Sequence, residues 1–278
     1  MQAFENIRAL IIDMDGVLWH GEQAVPGLED FFSILRKLDL PFILATNNAS
    51  LTVNQYVDKF VRMGVTVTAD EILTSGTATA LHLATSHNPD TTRIFVIGGQ
   101  GTTEPLQDQG FTLTGLYNIS DPTDNDPDLA ADIVVCGLDR QLTWDKLATA
   151  SINISAGALF IGTNGDTTLP TERGSAPGNG ATLAALEAAT GVKPTTIGKP
   201  GPILYQQALA LLGIDPNATI AIGDRLDTDI LGAVRTGIRS LMVLTGVSSK
   251  DDIAGLDYQP TWIMQDLRAV TKALTQLQ

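Results

Sequence analysis

Short runs of apolar and β-branched residues recur along the chain, and each run has the length of a buried strand. The predicted strands are Ala9–Ile12, Phe42–Ala45, Ile94–Ile97, Ile133–Cys136, Leu159–Gly162, Thr195–Gly198, Thr219–Gly223 and Ser240–Leu244. Amphipathic stretches between several of them predict helices over Gly27–Leu38, Val53–Met63, Gly180–Thr190 and Pro202–Leu212. This alternation predicts an α/β protein with doubly wound parallel sheets, in which helices cover both faces.

Four of the predicted strands differ from the others in the residues that come after them. Polar or ionisable residues directly follow the strands that start at Ala9, Phe42, Thr195 and Thr219, whereas the middle strands end in glycines or polar loops. Ligands of open α/β sheets bind at the carboxyl ends of the strands. We therefore predict one core built from residues 1–82 and 193–278, with residues 83–192 inserted as a separate α/β lobe.

The composition narrows the possible partners. The chain has 278 residues, of which 44% are hydrophobic, so it can bury a large core. A net charge of −14 argues against a broad grip on nucleic acid or on an anionic membrane. No apolar run approaches the ~20 residues of a membrane span. The single cysteine, Cys136, lies in a predicted strand and cannot form an internal disulfide, which favours a cytoplasmic protein.

Asp13 and Asp15 follow the first apolar strand, and Gly16 comes directly after them. Two like charges ~4 Å apart repel by about 4 kcal/mol at an effective dielectric constant of ~20, so a cation or a shared proton must offset the cost. A turn or a helix cap would explain one aspartate but not both. The spacing predicts that both face one pocket, with Asp13 as nucleophile and Asp15 as general acid and base.

The polar residues after the second and third of these strands suit a phosphate group. Thr46, Asn47 and Asn48 offer a hydroxyl, amides and backbone N–H groups, although the same residues are also common helix caps. Lys199 lies between Gly198 and Pro200, where it could neutralise a phosphoryl group and restrain a carboxylate. The lysine does not belong to a P-loop, because that pattern requires a glycine five residues before Gly198 and a serine or threonine after Lys199.

The last of the four strands is followed by more carboxylates. Gly223 ends the strand, Asp224 follows it, and Asp229 lies about one turn further on. We expect Asp227, in the same run, to face solvent or to cap the helix. Carboxylate oxygens with room left for water match the way proteins hold Mg²⁺. Together with Asp13 and Asp15, these residues form a surplus of negative charge that predicts a divalent cation.

In this order, the four motifs resemble those of the haloacid dehalogenase (HAD) superfamily. They are Asp13-Met-Asp-Gly-Val17, Thr46-Asn-Asn48, Lys199 and Gly223-Asp-Arg-Leu-Asp-Thr-Asp229. The residues of the second and fourth motifs, together with the inserted lobe, resemble the 4-nitrophenylphosphatase (NagD-like) branch. The resemblance implies a Rossmann-like core with a cap domain that sets substrate specificity. It also implies a Mg²⁺-dependent phosphatase acting on small phosphate monoesters, such as 4-nitrophenyl phosphate, sugar phosphates, phosphoglycolate or nucleotides.

The resemblance also implies roles for single residues. Asp13 would form an aspartyl-phosphate, while Asp15 would protonate the leaving alcohol and then activate water. Mg²⁺ would be held by the Asp13 carboxylate, the Asp15 backbone carbonyl and Asp224, with Asp229 acting through water. Thr46, Asn47 and Lys199 would hold the phosphoryl oxygens, and Asn48 would support the site.

The sequence of the predicted cap does not identify the substrate. Its segment from Gly162 to Gly174 resembles the specificity region of the family and contains no histidine, which argues against recognition of pyridoxal phosphate. Glu172 and Arg173 are candidates for contacts with the leaving group, and a solvated loop is the alternative interpretation. Other HAD-type hydrolases and a non-catalytic phospho-ligand-binding protein remain as competing functions. We expect a monomer or a homodimer.

Overall fold

The computed structural model describes residues 4, 6–121, 129–171 and 173–276. The helices are α1 (Leu28–Lys37), α2 (Val53–Arg62), α3 (Ser75–Ser86), α4 (Gln100–Asp108), α5 (Trp144–Ser155), α6 (Asn179–Thr190), α7 (Pro202–Leu212), α8 (Leu231–Thr236) and α9 (Leu267–Thr275). The strands are β1 (Ala9–Ile12), β2 (Trp19–His20), β3 (Gln23–Ala24), β4 (Phe42–Thr46), β5 (Ile72–Thr74), β6 (Arg93–Ile97), β7 (Thr112–Leu113), β8 (Ile133–Cys136), β9 (Leu159–Gly162), β10 (Thr168–Thr171), β11 (Gly174–Pro177), β12 (Thr195–Thr196), β13 (Thr219–Gly223), β14 (Arg239–Val243) and β15 (Trp262–Met264).

The first sheet has six strands in the order β15-β14-β13-β1-β4-β5. Strand β1 lies between β13 and β4 and runs parallel to both, with Ile12 level with Ile222 on one side and Leu44 on the other. All four residues of β1 are buried, as a central strand of a doubly covered sheet requires. This register brings the carboxyl ends of β13, β1 and β4 to one edge, where Asp224, Asp13 and Thr46 lie.

The second sheet has five strands in the order β12-β9-β8-β6-β7, and all its neighbouring pairs are parallel. Its core joins apolar residues of the strands to those of α5 and α6, including Phe95, Val134, Phe160 and Leu183. Cys136 belongs to this core, and burial raises the pKa of its thiol far above the ordinary value. This cysteine is a packing residue of β8.

The chain divides into two compact units. The first comprises residues 1–46, 53–73 and 199–278, and the second comprises residues 47–52 and 74–198. Helix α3 packs against α4 and so belongs to the second unit. The assignment of a catalytic role to residues 1–82 and 193–278, and of a specificity role to residues 83–192, stays a prediction.

One predicted strand lies in an unexpected sheet. The sequence pattern groups Thr195–Gly198 with the strands of the core, but only Thr195 and Thr196 form a strand, and they pair with β9 in the second sheet. Lys199 therefore does not follow a strand of the six-stranded sheet. A run of four residues such as Thr195–Gly198 does not show which sheet it joins, since pairing depends on distant parts of the chain.

The predicted fold class is confirmed, because both main sheets contain parallel strands connected by helices. The ends of the helices follow local chemistry: α7, for example, begins with Pro202 and ends before Gly213, which adopts the left-handed conformation at φ 63°. None of the helices in the described part of the chain has the length and apolar character needed to cross a membrane.

Candidate active site

A tight turn follows β1 and separates the two aspartates. The backbone N–H of Asp13 donates to the carbonyl of Ile222 at 2.8 Å and continues the pairing with β13. Met14 is fully buried, whereas Asp15 is exposed. Gly16 has a φ of 83°, which favours glycine, and a Cβ at this position would lie 2.6 Å from Asp224 Oδ2. The turn thus holds Asp13 at the sheet and presents Asp15 to solvent.

Lys199 is the buried cation of the site. Its Nζ lies 2.5 Å from Asp13 Oδ1 and 2.6 Å from Asp229 Oδ1, and it donates to the carbonyl of Ala45 at 3.1 Å. Burial alone would lower the pKa of Lys199, but Asp13 and Asp229 outweigh this effect and raise it well above its ordinary value. The ammonium group is therefore charged and fixes the position of the Asp13 carboxylate.

Backbone groups hold the carboxylates of Asp224 and Asp229 in place. Asp229 Oδ2 accepts hydrogen bonds from the backbone N–H groups of Asp224 at 3.2 Å and Arg225 at 3.1 Å. Asp224 Oδ2 accepts from the backbone N–H of Val247 at 2.7 Å. Tyr205, which is fully buried in α7, donates its hydroxyl to the Asp229 carbonyl at 3.0 Å. Asp224 and Asp229 are both almost completely buried.

Asp13, Asp224 and Asp229 form one acidic cluster, in which an oxygen atom of each carboxylate lies within 4.8 Å of the others. If all three are ionised, Lys199 neutralises one of the three charges. Burial, together with the neighbouring Asp229, raises the pKa of Asp224 to about 6. Burial also raises the pKa of Asp13 well above its ordinary value, although Lys199 opposes the shift. The cluster therefore needs further positive charge in order to be fully ionised near neutral pH.

The cluster fits a hard divalent cation. Asp224 Oδ1 is buried and has no hydrogen-bond partner among the residues that the structure describes. A buried carboxylate oxygen without a partner is costly, and a metal ion would satisfy it. The donor atoms are carboxylate oxygens, which Mg²⁺ prefers to nitrogen or sulfur. The residues present thus match the predicted cofactor.

Thr46 and the two asparagines lie in different units. Thr46 ends β4, is buried, and forms a hydrogen bond with Tyr56 of α2. In the second unit, the amide of Asn47 lies 3.3 Å from Asp166 Oδ2. Asn48 Oδ1 accepts hydrogen bonds from the backbone and the hydroxyl of Ser50, at 2.9 and 2.6 Å. The supporting role expected of Asn48 and the phosphate contact expected of Asn47 stay predictions, and the contact of Asn47 with a carboxylate was not expected.

The structure gives little information about the two candidates from the predicted specificity region. Arg173 is an exposed residue of the turn that connects β10 and β11, and its contact with a leaving group stays a prediction. Glu172 lies outside the described residues. Asp227 is exposed and forms an ion pair with Arg225 at 2.9 Å, away from the acidic cluster.

Several residues around the site were not singled out from the sequence. Trp19 donates to Asp15, Tyr205 holds the backbone of Asp229, and Gly246 allows a close approach to Asp224. Trp19 stands four residues after Asp15, so its proximity to the first motif was a usable signal. No local pattern connects Tyr205 or Gly246 with the residues that they support, since each contact joins separate elements.

Sequence comparisons identify the family. The profile of haloacid dehalogenase-like hydrolases matches residues 10–112, and a second HAD-hydrolase-like profile matches residues 196–270. The acid sugar phosphatase of Staphylococcus saprophyticus is 37% identical over 270 residues, which cover 97% of this chain and 99% of that protein. The 5'-nucleotidase YutF of Bacillus subtilis is 35% identical and covers 95% of this chain and 97% of its own length.

Solved structures agree with the sequence comparisons. The 4-nitrophenylphosphatase of Thermotoga maritima has a TM-score of 0.85 at 31% identity and covers 97% of this chain and 98% of its own. NagD from Escherichia coli has a TM-score of 0.83 at 34% identity, with coverages of 94% and 97%. The glycerol phosphate phosphatase of Mycobacterium tuberculosis, solved with magnesium, has a TM-score of 0.83 at 35% identity, with coverages of 98% and 79%. The predicted resemblance is confirmed: the chain belongs to the haloacid dehalogenase-like hydrolase family.

Proposed function

We propose that the protein is a Mg²⁺-dependent phosphatase that hydrolyses small phosphate monoesters through an aspartyl-phosphate. The observation that carries this proposal is the buried cluster in which Lys199 Nζ bridges Asp13 and Asp229, next to Asp224. The relatives are named as phosphatases of sugar phosphates, nucleotides, 4-nitrophenyl phosphate and glycerol phosphate, which supports the substrate class. The expectations of a cytoplasmic location and of a monomer or homodimer stay predictions.

Asp13 would act as the nucleophile in the first step. One of its carboxylate oxygens forms a bond with phosphorus, and the bond between phosphorus and the leaving oxygen breaks. Asp15, which is exposed next to it, gives its proton to the departing alkoxide. Because Lys199 lies 2.5 Å from Asp13 Oδ1, it restrains the nucleophile and can also neutralise a phosphoryl oxygen that arrives there.

Water would complete the reaction in the second step. The Asp15 carboxylate takes a proton from a water molecule, whose oxygen attacks the phosphorus of the aspartyl-phosphate. The bond between phosphorus and the Asp13 oxygen breaks, inorganic phosphate leaves, Asp13 is again a carboxylate and Asp15 is again protonated. The Thr46 hydroxyl, together with Asn47, would bind phosphoryl oxygens through both steps, while Asn48 keeps the turn after Thr46 in place.

Asp13, Asp224 and the Asp15 backbone carbonyl would hold Mg²⁺, with Asp229 acting through water. When bound, the ion supplies positive charge that neutralises the carboxylates and the phosphoryl oxygens. This charge is needed because phosphate monoesters are among the slowest biological molecules to hydrolyse without a catalyst.

Phosphate release from 4-nitrophenyl phosphate tests the proposal. We expect turnover with Mg²⁺, none after chelation, and none in Asp13→Asn. Asp227→Asn is the matched control, because Asp227 is an exposed acid of the same sequence motif and lies outside the cluster. Acid quenching with a ³²P-labelled monoester should leave label on the wild-type chain and none on Asp13→Asn. Turnover without metal, or an active Asp13→Asn variant, would refute the mechanism.

A further inference from the structure

Trp19 makes a side-chain contact with the exposed aspartate of the first motif. Its indole Nε1–H donates to Asp15 Oδ1 at 2.9 Å. Within residues 4, 6–121, 129–171 and 173–276, this is the hydrogen bond that the structure records for the Asp15 carboxylate. The backbones also pair, since the N–H of Gly16 donates to the Trp19 carbonyl at 2.8 Å. An exposed carboxylate is thereby attached to a residue that is itself completely buried.

Helix α2 fixes the indole ring from the other side. The ring of Phe60 meets it edge-on at a centroid distance of 4.9 Å, and Tyr56 stacks at 6.4 Å. The Nζ of Lys59 lies 4.4 Å from the ring centroid, so a cation covers the face of the ring. Lys59 is only 5% exposed and donates to the carbonyl of Gly21 at 2.7 Å. Lys59 thus connects α2 both to the ring of Trp19 and to the backbone of Gly21.

We infer that Trp19 is a positioning residue for Asp15, a role that rests on the proposed phosphatase function. Asp side chains at exposed positions rotate freely about two torsions, and proton transfer requires a donor within hydrogen-bond reach of the leaving oxygen. The indole N–H occupies Oδ1 and so leaves Oδ2 to face the leaving group. Trp19 itself does not touch the substrate. Its effect is to keep Asp15 in the orientation from which proton transfer is productive.

The same helix supports the phosphate side of the site. Tyr56 forms a hydrogen bond with Thr46 and also stacks on Trp19. Residues of α2 therefore contact both a residue expected to bind phosphate and the residue that orients the acid. Because the contacts are rigid and buried, we expect the loss of the indole N–H to change the reaction specifically at the proton-transfer step.

The variant Trp19→Phe tests the inference, because it keeps an aromatic ring under Lys59 but removes the N–H. The readout is kcat/KM for two substrates, since this ratio reports the steps up to formation of the aspartyl-phosphate. Glycerol phosphate has a poor leaving group that needs a proton, whereas 4-nitrophenolate leaves without one. We expect kcat/KM to fall about tenfold for glycerol phosphate and less than about twofold for 4-nitrophenyl phosphate.

Phe32→Leu is the matched control for lost aromatic packing. Phe32 is buried and contacts Phe60 at a centroid distance of 5.6 Å, without taking part in the contact between Trp19 and Asp15. We expect this variant to lower the melting temperature while keeping the wild-type ratio of the two kcat/KM values. If Trp19→Phe keeps that ratio as well, or loses activity equally on both substrates, the positioning role is wrong. If the wild type hydrolyses neither substrate, the proposed function fails together with this inference.

A spectroscopic measurement tests the contact even if Trp19→Phe does not fold. The chain has 3 tryptophans, so a ¹⁵N-labelled sample should show three indole N–H signals, with the 67% exposed Trp144 as a reference. In Asp15→Ala we expect one protected indole signal to shift and the other two to stay in place. If no indole signal moves, the hydrogen bond between Trp19 and Asp15 does not exist in solution, and the inference is overturned.

Discussion

Replacing Gly246 with alanine should displace the carboxylate of Asp224, which we propose binds Mg²⁺. A Cβ at Gly246 would lie 1.8 Å from Asp224 Oδ2 and 2.4 Å from its Cγ. Real Cβ contacts are essentially never shorter than 3.0 Å, so the two groups must separate by at least the difference between 3.0 and 1.8, which is 1.2 Å. The same oxygen accepts the hydrogen bond from the backbone N–H of Val247, and that bond would be strained or lost.

The size of the effect depends on this displacement. Moving a reacting or ligating group by about 1 Å can cost about a hundredfold in rate. Loss of a supporting contact around a metal site typically lowers metal affinity by about 10- to 100-fold. We therefore expect Gly246→Ala to raise the Mg²⁺ concentration at half-maximal activity by at least about tenfold and to lower kcat as well.

Two measurements separate metal binding from general damage. Calorimetric titration with Mg²⁺ gives the affinity directly, and a titration of phosphate release gives the concentration required for activity. Gly99→Ala is the matched control, because a Cβ at Gly99 has no neighbour within 4 Å and its φ of −91° suits any residue. A Gly246→Ala protein with the wild-type Mg²⁺ affinity and kcat would refute the reasoning.

The electrostatics of the cluster lead to two further predictions. Because the pKa of Asp224 is raised to about 6, Mg²⁺ competes with a proton below that pH, and the increase in melting temperature caused by Mg²⁺ should be larger at about pH 7.5 than at about pH 5. In the metal-free protein, the raised pKa of Asp224 increases the free energy of unfolding at low pH. This contribution is lost as the pH rises from 3.8 to about 6. An equal Mg²⁺ effect at both pH values would contradict the assignment. Lys199→Met removes the cation between two buried carboxylates, so it should abolish turnover and lower the free energy of unfolding by about 3–5 kcal/mol. Urea denaturation measures this loss, Mg²⁺ should recover part of it, and unchanged stability would show that Lys199 is not the essential counter-ion.

The strand that precedes Asp13 was largely predictable because its signals are local. The run Ala9–Ile12 is apolar throughout, and a fully apolar run of this length is typical of a strand buried on both faces. The observed β1 has the predicted limits, and β13 coincides with the predicted Thr219–Gly223. Asp13 and Asp224 follow these strands directly, so their shared location depends only on parallel pairing.

Contacts between residues that are distant in the sequence could not be predicted. The prediction that Thr195–Gly198 belongs with the core strands was wrong, because its two-residue strand pairs with β9 instead. The phosphate contact expected of Asn47 stays a prediction, and the sequence did not indicate that its amide lies 3.3 Å from an Asp166 carboxylate oxygen more than a hundred positions away. A sequence shows which residues can form a strand or donate a hydrogen bond, but it does not show which partner they meet.

The amino-acid sequence was sufficient to indicate the residues of the candidate site and the family: two aspartates after a buried strand, a lysine, an acidic motif and the order in which they occur. These features are local, because a strand and the turn after it are set by a few neighbouring side chains. The contacts among these residues and their supports are visible only in the folded chain. Lys199 meets Asp13 across 186 positions, and Trp19 is held by a lysine from α2. Such contacts depend on the path of the whole chain, since the packing of distant elements brings the groups together.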